Sequence, residues 1–140
     1  LSFSQVARCF DLVFEDEVAS GRRWDWIVRS RLDLQFFRPL PPVQSLDPEF
    51  LHTAGLTNFY PIVISWGFRQ RVPIVNDHLF VVPRALAPRF VEPLRDYCPA
   101  GAKWAHICWT PSMPEYTLLY SFLEAGLKPR SLYEGTELGF

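Results

Sequence analysis

WDWIVRSRLDLQFFRPLPP, residues 24–42, is the stretch on which the fold assignment turns. Read with a period of two, it puts Trp26, Val28, Ser30, Leu32, Leu34 and Phe36 on one face and Ile27, Arg29, Arg31, Asp33 and Gln35 on the other. The alternation predicts a β-strand, which Pro39, Pro41 and Pro42 end because proline cannot donate to a ladder. Arg29, Arg31 and Asp33 would project from one side, successive members roughly 7 Å apart. The ordinary explanation is an edge strand with a solvated face. The alternative is a ligand: beside Trp24, Trp26, Phe36 and Phe37 these charges need partners, and a phosphate with a divalent cation supplies them. Arginine's planar fork binds phosphate, and Asp33 at the strand's end suits a hard cation.

Before this strand, Phe3, Val6, Phe10, Val13, Phe14 and Val18 recur at helical spacing, with Arg8, Asp11, Glu15 and Asp16 turned to water and Gly21 as the stop. After it, SLDPEF (45–50) reads as a helical turn, and FYPIVISW (59–66) and HLFVV (78–82) as strands. GFRQRVPIVND between those strands reads as a loop. ALAPRFVEPLRDY returns to helical spacing, with Pro88 and Pro93 expected to kink or divide the helix. Ser112 to Ala125 predicts a firmer helix, capped by Ser112 and stopped by Gly126, and LKPRSLY a final edge strand. No repeat or linker interrupts the pattern, so residues 1–140 read as a single α/β domain.

A hydrophobic fraction of 49% is enough to build a core at this length. Fourteen basic against fifteen acidic residues leave a net charge of −1, so no bulk attraction draws nucleic acid or an anionic membrane, and any anion must be held locally. No apolar run reaches the roughly 20 residues of a membrane span. The chain starts at Leu1 without methionine and enters a helical pattern at once, which reads as part of a longer protein. Cys9, Cys98 and Cys108 lack zinc-site spacing, as do His52, His78 and His106. A pairing of Cys98 with Cys108 stays open beside the commoner free thiols. No closely spaced glycines precede a helix as in a phosphate-binding loop, and neither Ser65 nor Ser112 sits in a nucleophile elbow.

Gly21, Asp25 to Val28, Arg29, Arg31, Asp33, Leu34 and the Pro39 to Pro42 loop together resemble glycosyltransferase-like domains of the GT-A class. NDHLFVVPRALAPRF (76–90) and PEYTLLYSFLEAGLKP (114–129) are similar to later segments of such domains, so the loose likeness runs from about Gln5 to Tyr133. The resemblance implies a mixed sheet flanked by helices, incomplete at its N-terminal nucleotide-binding half. It implies transfer of a sugar from a nucleotide-sugar donor to a glycan acceptor, commonly with Mn²⁺ or Mg²⁺ bridging the diphosphate, and it favours the Golgi lumen over the cytoplasm.

Carried over to this sequence, Asp33 takes the place of one acidic residue of the family's Asp-x-Asp metal motif, while Arg31 and Gln35 stand where a second carboxylate would be. Asp77 is the candidate general base toward the acceptor hydroxyl, and Arg29, Arg31 and Arg84 are the candidate donor-phosphate ligands. Glu115, Trp66 and Trp109 are assigned to acceptor binding or to structure. Each also has an ordinary role: Asn76 and Asp77 as a turn, Arg84 as a cover for apolar surface, Glu115 as a helix-terminal charge, and the tryptophans, Trp104 included, as core. The rival readings are a noncatalytic glycan- or protein-binding domain on the same scaffold and, last, a phosphoryl hydrolase using Asp33 and Asp77.

Overall fold

The computed structural model describes residues 3–36, 38–64, 68–95 and 114–133, with backbone alone for 57–64, 68–74, Pro114 and Tyr116. Its elements in order are α1 (Phe3–Ser20), β1 (Trp26–Ser30), a 3-10 turn (Val43–Ser45), β2 (Leu51–Thr53), β3 (Leu56–Ile64), β4 (Phe68–Val75), β5 (Leu79–Pro83), α2 (Ala87–Arg95), α3 (Pro114–Glu124) and β6 (Pro129–Ser131). A four-stranded mixed sheet runs β1-β5-β2-β6, antiparallel except where β2 meets β6, and β3 and β4 form a separate antiparallel ribbon. The fold is therefore mixed α/β, as the alternation of helical and strand patterns predicts. No described helix is long and apolar enough to cross a membrane.

β5 is central and buried at all five positions, so its apolar run does not alternate. On one face, Phe80 and Val82 meet the three helices. Phe80, Phe90 of α2 and Phe122 of α3 form a mutual aromatic contact with centroids 5.0 to 5.7 Å apart, and Phe10 of α1 adds to it at 5.0 Å from Phe90. Burying each such ring contributes about 1.5–3 kcal/mol. On the other face, Leu79, Val81 and Leu132 are covered not by a helix but by the proline-rich strap, through Leu34, Leu40, Val43 and Leu46.

Both glycine stops hold. Gly21 (φ 68°) ends α1, its N–H donating to Glu17 O at 3.0 Å. Gly126 (φ 73°) closes α3 in a Schellman turn, with Gly126 N–H donating to Leu123 O and Leu127 N–H to Phe122 O, both at 2.9 Å. Pro88 falls in the first turn of α2, where it costs little; Pro93 lies inside that helix and cannot donate to the Arg89 carbonyl. Val18, read as apolar-face, is 87% exposed, since only the first three turns of α1 lie on the core.

Four local expectations need correction. The strand in 24–42 is five residues long: Arg31 N–H still donates to His78 O (2.9 Å), but the chain then turns, Leu34 N–H donating to Arg31 O (3.3 Å). Asp33 consequently sits in a turn and Leu32 is wholly exposed. The faces differ from the period-two reading too: Ile27 is buried toward the helices and Val28 is half exposed. GFRQRVPIVND is not a loop but contains β4. In a two-stranded ribbon each strand is an edge, which tolerates the prolines and charges that argue against a strand elsewhere. Residues 45–50 split into the end of the 3-10 turn and an Asx turn in which Asp47 Oδ1 accepts Glu49 N–H (2.9 Å), followed by the unexpected three-residue β2.

Two ionisable contacts hold this arrangement together. Glu17, at the end of α1, accepts from Arg84 Nε (2.8 Å) and Nη2 (2.7 Å) and from Trp24 N–H (3.0 Å), while the Arg84 guanidinium lies 4.4 Å from the Phe14 ring centroid. The clamp ties α1 to the end of β5. His52 is 2% exposed, its ring centroid 6.0 Å from that of Trp26; Nε2–H donates to Asp47 O at 2.8 Å, and Nδ1 is buried without a partner among the described residues.

Arg84's hydrogen bonds lower the Glu17 pKa below its ordinary 4.5. A carboxylate of this kind adds stability that is complete above its unfolded pKa and is lost as pH falls through the folded one. Glu17→Gln should therefore lower the urea midpoint at neutral pH, with the gap to the parent closing as pH drops below about 4.5; a constant gap would refute the clamp. Burial likewise lowers the His52 pKa from 6.5, Arg130 adding to it and the Asp47 backbone contact opposing. The neutral ring is the folded form, so its contribution is present above pH 6.5 and fades below it. His52→Gln, which keeps a donor for Asp47 O, should flatten the fall in stability between about pH 7 and pH 5; an unchanged slope would remove His52 as its source.

Candidate anion cleft

The site forms where β1 ends beside the corner entering β5. Asn76 builds that corner: its Oδ1 accepts His78 N–H (2.8 Å), its N–H donates to Gly55 O (3.0 Å), and its carbonyl accepts from Thr53 Oγ1 (2.8 Å). Thr53 is fully buried, so the corner is anchored in the sheet. Arg31 N–H to His78 O ties the other wall to it. Between them Arg29, Arg31, Leu32, Asp33 and Asp77 line an open cleft of about 270 Å³.

Four of the sequence-derived candidates, Arg29, Arg31, Asp33 and Asp77, thus converge in one concavity. Asn76 makes the turn, as the ordinary reading expects, and Asp77 lines the cleft. Arg84 does not line the cleft; it is engaged with Glu17. Glu115 lies in the first turn of α3, apart from the lining. Trp66 and Trp109 fall outside the described residues, as do Trp104, His106, Cys98, Cys108 and Ser112. Cys9 is an exposed free thiol on α1.

The two arginines are in different states. Arg31 makes a planar two-bond pair with Asp33, Nε to Oδ1 at 2.9 Å and Nη2 to Oδ2 at 2.7 Å. The pair raises the Arg31 pKa and lowers that of Asp33. Arg29 is directly opposite Phe80 in the β1 and β5 register, its guanidinium 5.9 Å from the ring centroid. Its Nη1 is buried and has no hydrogen-bond partner among the described residues. Burial lowers the Arg29 pKa, Asp77 opposes this and Arg31 adds to it, yet a guanidinium stays charged across physiological pH. Asp77 Oδ1 lies 3.6 Å from His78 Nε2.

This donor set suits an anion. Both Asp33 oxygens are taken by Arg31, two guanidinium groups stand in the cleft, and among the described residues no three His, Cys, Asp or Glu side chains converge as a metal-ligand group. A cation at Asp33 would have to displace the Arg31 guanidinium from both carboxylate oxygens. Sequence reasoning missed Phe80 beneath Arg29, which only the strand register reveals, and His78, whose adjacency to Asp77 in NDH was the available signal.

Searches for related proteins find none: no family model, no curated protein and no solved structure matches the chain.

Proposed function

We propose that the chain is a GT-A-like sugar-transfer domain whose cleft takes the diphosphate of a nucleotide-sugar donor. The observation that carries the reading is Arg29: a cation at the cleft wall beside a second guanidinium and a carboxylate, its occluded Nη1 without a hydrogen-bond partner among the described residues. A buried donor left unmade is costly, and a turn of the guanidinium toward the cleft lets a phosphate oxygen satisfy it with a charge-assisted bond.

In this reading Arg29 and Arg31 hold the diphosphate and stabilise the charge that builds on it as the bond from anomeric carbon to phosphate oxygen breaks. Asp77 accepts the proton of the acceptor hydroxyl, whose oxygen bonds to the anomeric carbon, and the nucleoside diphosphate leaves. Asp77 on its pinned turn is well placed for such a role because the corner does not have to reorganise. His78 Nε2 stands 3.6 Å from that carboxylate.

The commitment of Asp33 to Arg31 favours a second reading, a noncatalytic domain that binds a phosphorylated glycan in the same cleft. Donor hydrolysis and transfer assays on the full-length protein carrying this chain separate the two. The enzyme reading expects activity that falls by about 10²-fold or more in Asp77→Asn with donor affinity retained, and loss of nucleoside-diphosphate binding in Arg29→Ala. Binding that needs Arg29 without any turnover supports the recognition reading, and full activity in Asp77→Asn defeats the base assignment.

A further inference from the structure

We propose that Asp33 is a built-in stand-in for the ligand: its carboxylate holds the Arg31 fork in the cleft until a phosphate displaces it, making Asp33 a positioning and specificity residue of the anion site. The inference rests on the anion-cleft reading and deepens it. It assigns Asp33 a role opposite to that of a cation ligand.

The geometry has three parts. Asp33 presents two oxygens to Nε and Nη2 of Arg31 at 2.9 and 2.7 Å, the two-point pattern with which a phosphate engages a guanidinium. The partners are two residues apart across the turn that follows β1, so the pair forms locally and needs no distant element. Both side chains are open to solvent, Arg31 at 39% and Asp33 at 68%, so Asp33 can swing into water on displacement.

Magnitudes decide what such a pair does. An exposed ion pair is weak, so it does not block a phosphate; it lowers the affinity by a modest factor and keeps the fork aimed. Among the described residues Arg29 has no such stand-in: its Nη1 is unpartnered, while Asp77 contributes only charge at longer range. The cleft therefore offers a free cation first and a latched one second. A ligand carrying one negative charge meets Arg29 alone, whereas a diphosphate has oxygens and charge enough to take Arg31 from Asp33. Asp33 thereby selects for multiply charged phosphates over simple carboxylates.

The test is calorimetric titration of inorganic pyrophosphate into the full-length protein and into Asp33→Asn, Arg31→Ala and the double variant, with circular dichroism as the folding control. Asp33→Asn should tighten binding by roughly threefold to tenfold, and the same change in the Arg31→Ala background should shift Kd by less than about twofold. Weaker or unchanged binding in Asp33→Asn overturns the proposal, because it makes Asp33 a ligand contact or a bystander. Equal tightening with and without Arg31 overturns it as well, because the effect is then general charge. Should Arg31→Ala bind too weakly to measure, the Arg31 Nε–H resonance decides: it should shift when pyrophosphate saturates the parent, and an unmoved resonance counts against the latch. Pyrophosphate binding that is absent, or indifferent to Arg29→Ala and Arg31→Ala together, removes the anion cleft itself and the latch with it.

Discussion

The antiparallel pairing of β1 with β5 sets Arg29 opposite Phe80, and the cleft depends on that single register. Phe80 belongs to the aromatic contact that joins β5 to α2 and α3, so the surface beneath the guanidinium is the core's most constrained part. A one-residue slip would turn Ile27 out of the helix-facing core and take Arg29 away from the Phe80 ring. Core packing thus fixes the placement of a charge at the sheet's edge. The electrostatic feature is inherited from the hydrophobic one.

An edge strand is the only place where this arrangement is affordable. In a central strand a guanidinium on the core face would lose water on every side; at the edge the Arg29 guanidinium lies over Phe80 and still borders the cleft. The cleft floor is correspondingly rigid. Asn76 is held by Gly55, Thr53 and the amide of His78, and Arg31 is tied through its own amide to His78 O. Freedom is left to the side chains of Arg31 and Asp33, both exposed, so the mobile parts of the site are those that a ligand would rearrange.

How much of this could be read from residues alone follows the range of the interactions. α1 and α3 were legible through periodicity and glycine stops, because helix signals are local. The convergence of Arg29, Arg31, Asp33 and Asp77 was anticipated, though on a strand running through Asp33. The true strand ends at Ser30 because the chain turns after Arg31, whose last cross-strand bond goes to His78, 47 positions away, a partner that no local pattern announces. β4 was misread for a related reason: FRQRVPIV carries charges and a proline that disqualify a central strand, and only its pairing with β3 shows that it has no inner position to fill. Arg84 was misassigned since its partner, Glu17, sits at the far end of another element.

In the proposed reading, the charge balance of the cleft lets a chain with net charge −1 hold an anion without being drawn to anions generally. Arg29 and Arg31 are matched by Asp33 and Asp77, so the cleft projects little field beyond its mouth and gives no long-range steering. Selectivity then comes from contact geometry. Arg31 and Asp33 neutralise one another within hydrogen-bond distance, leaving Arg29 and Asp77 as a cation and an anion facing one cavity. A ligand that places an anionic group and a hydroxyl a short distance apart satisfies both, which is the chemistry of a phosphorylated sugar approached by an acceptor alcohol. A bare phosphate that takes Arg29 and displaces Asp33 from Arg31 still meets the Asp77 carboxylate. In this reading the same four residues favour the composite ligand over either of its parts.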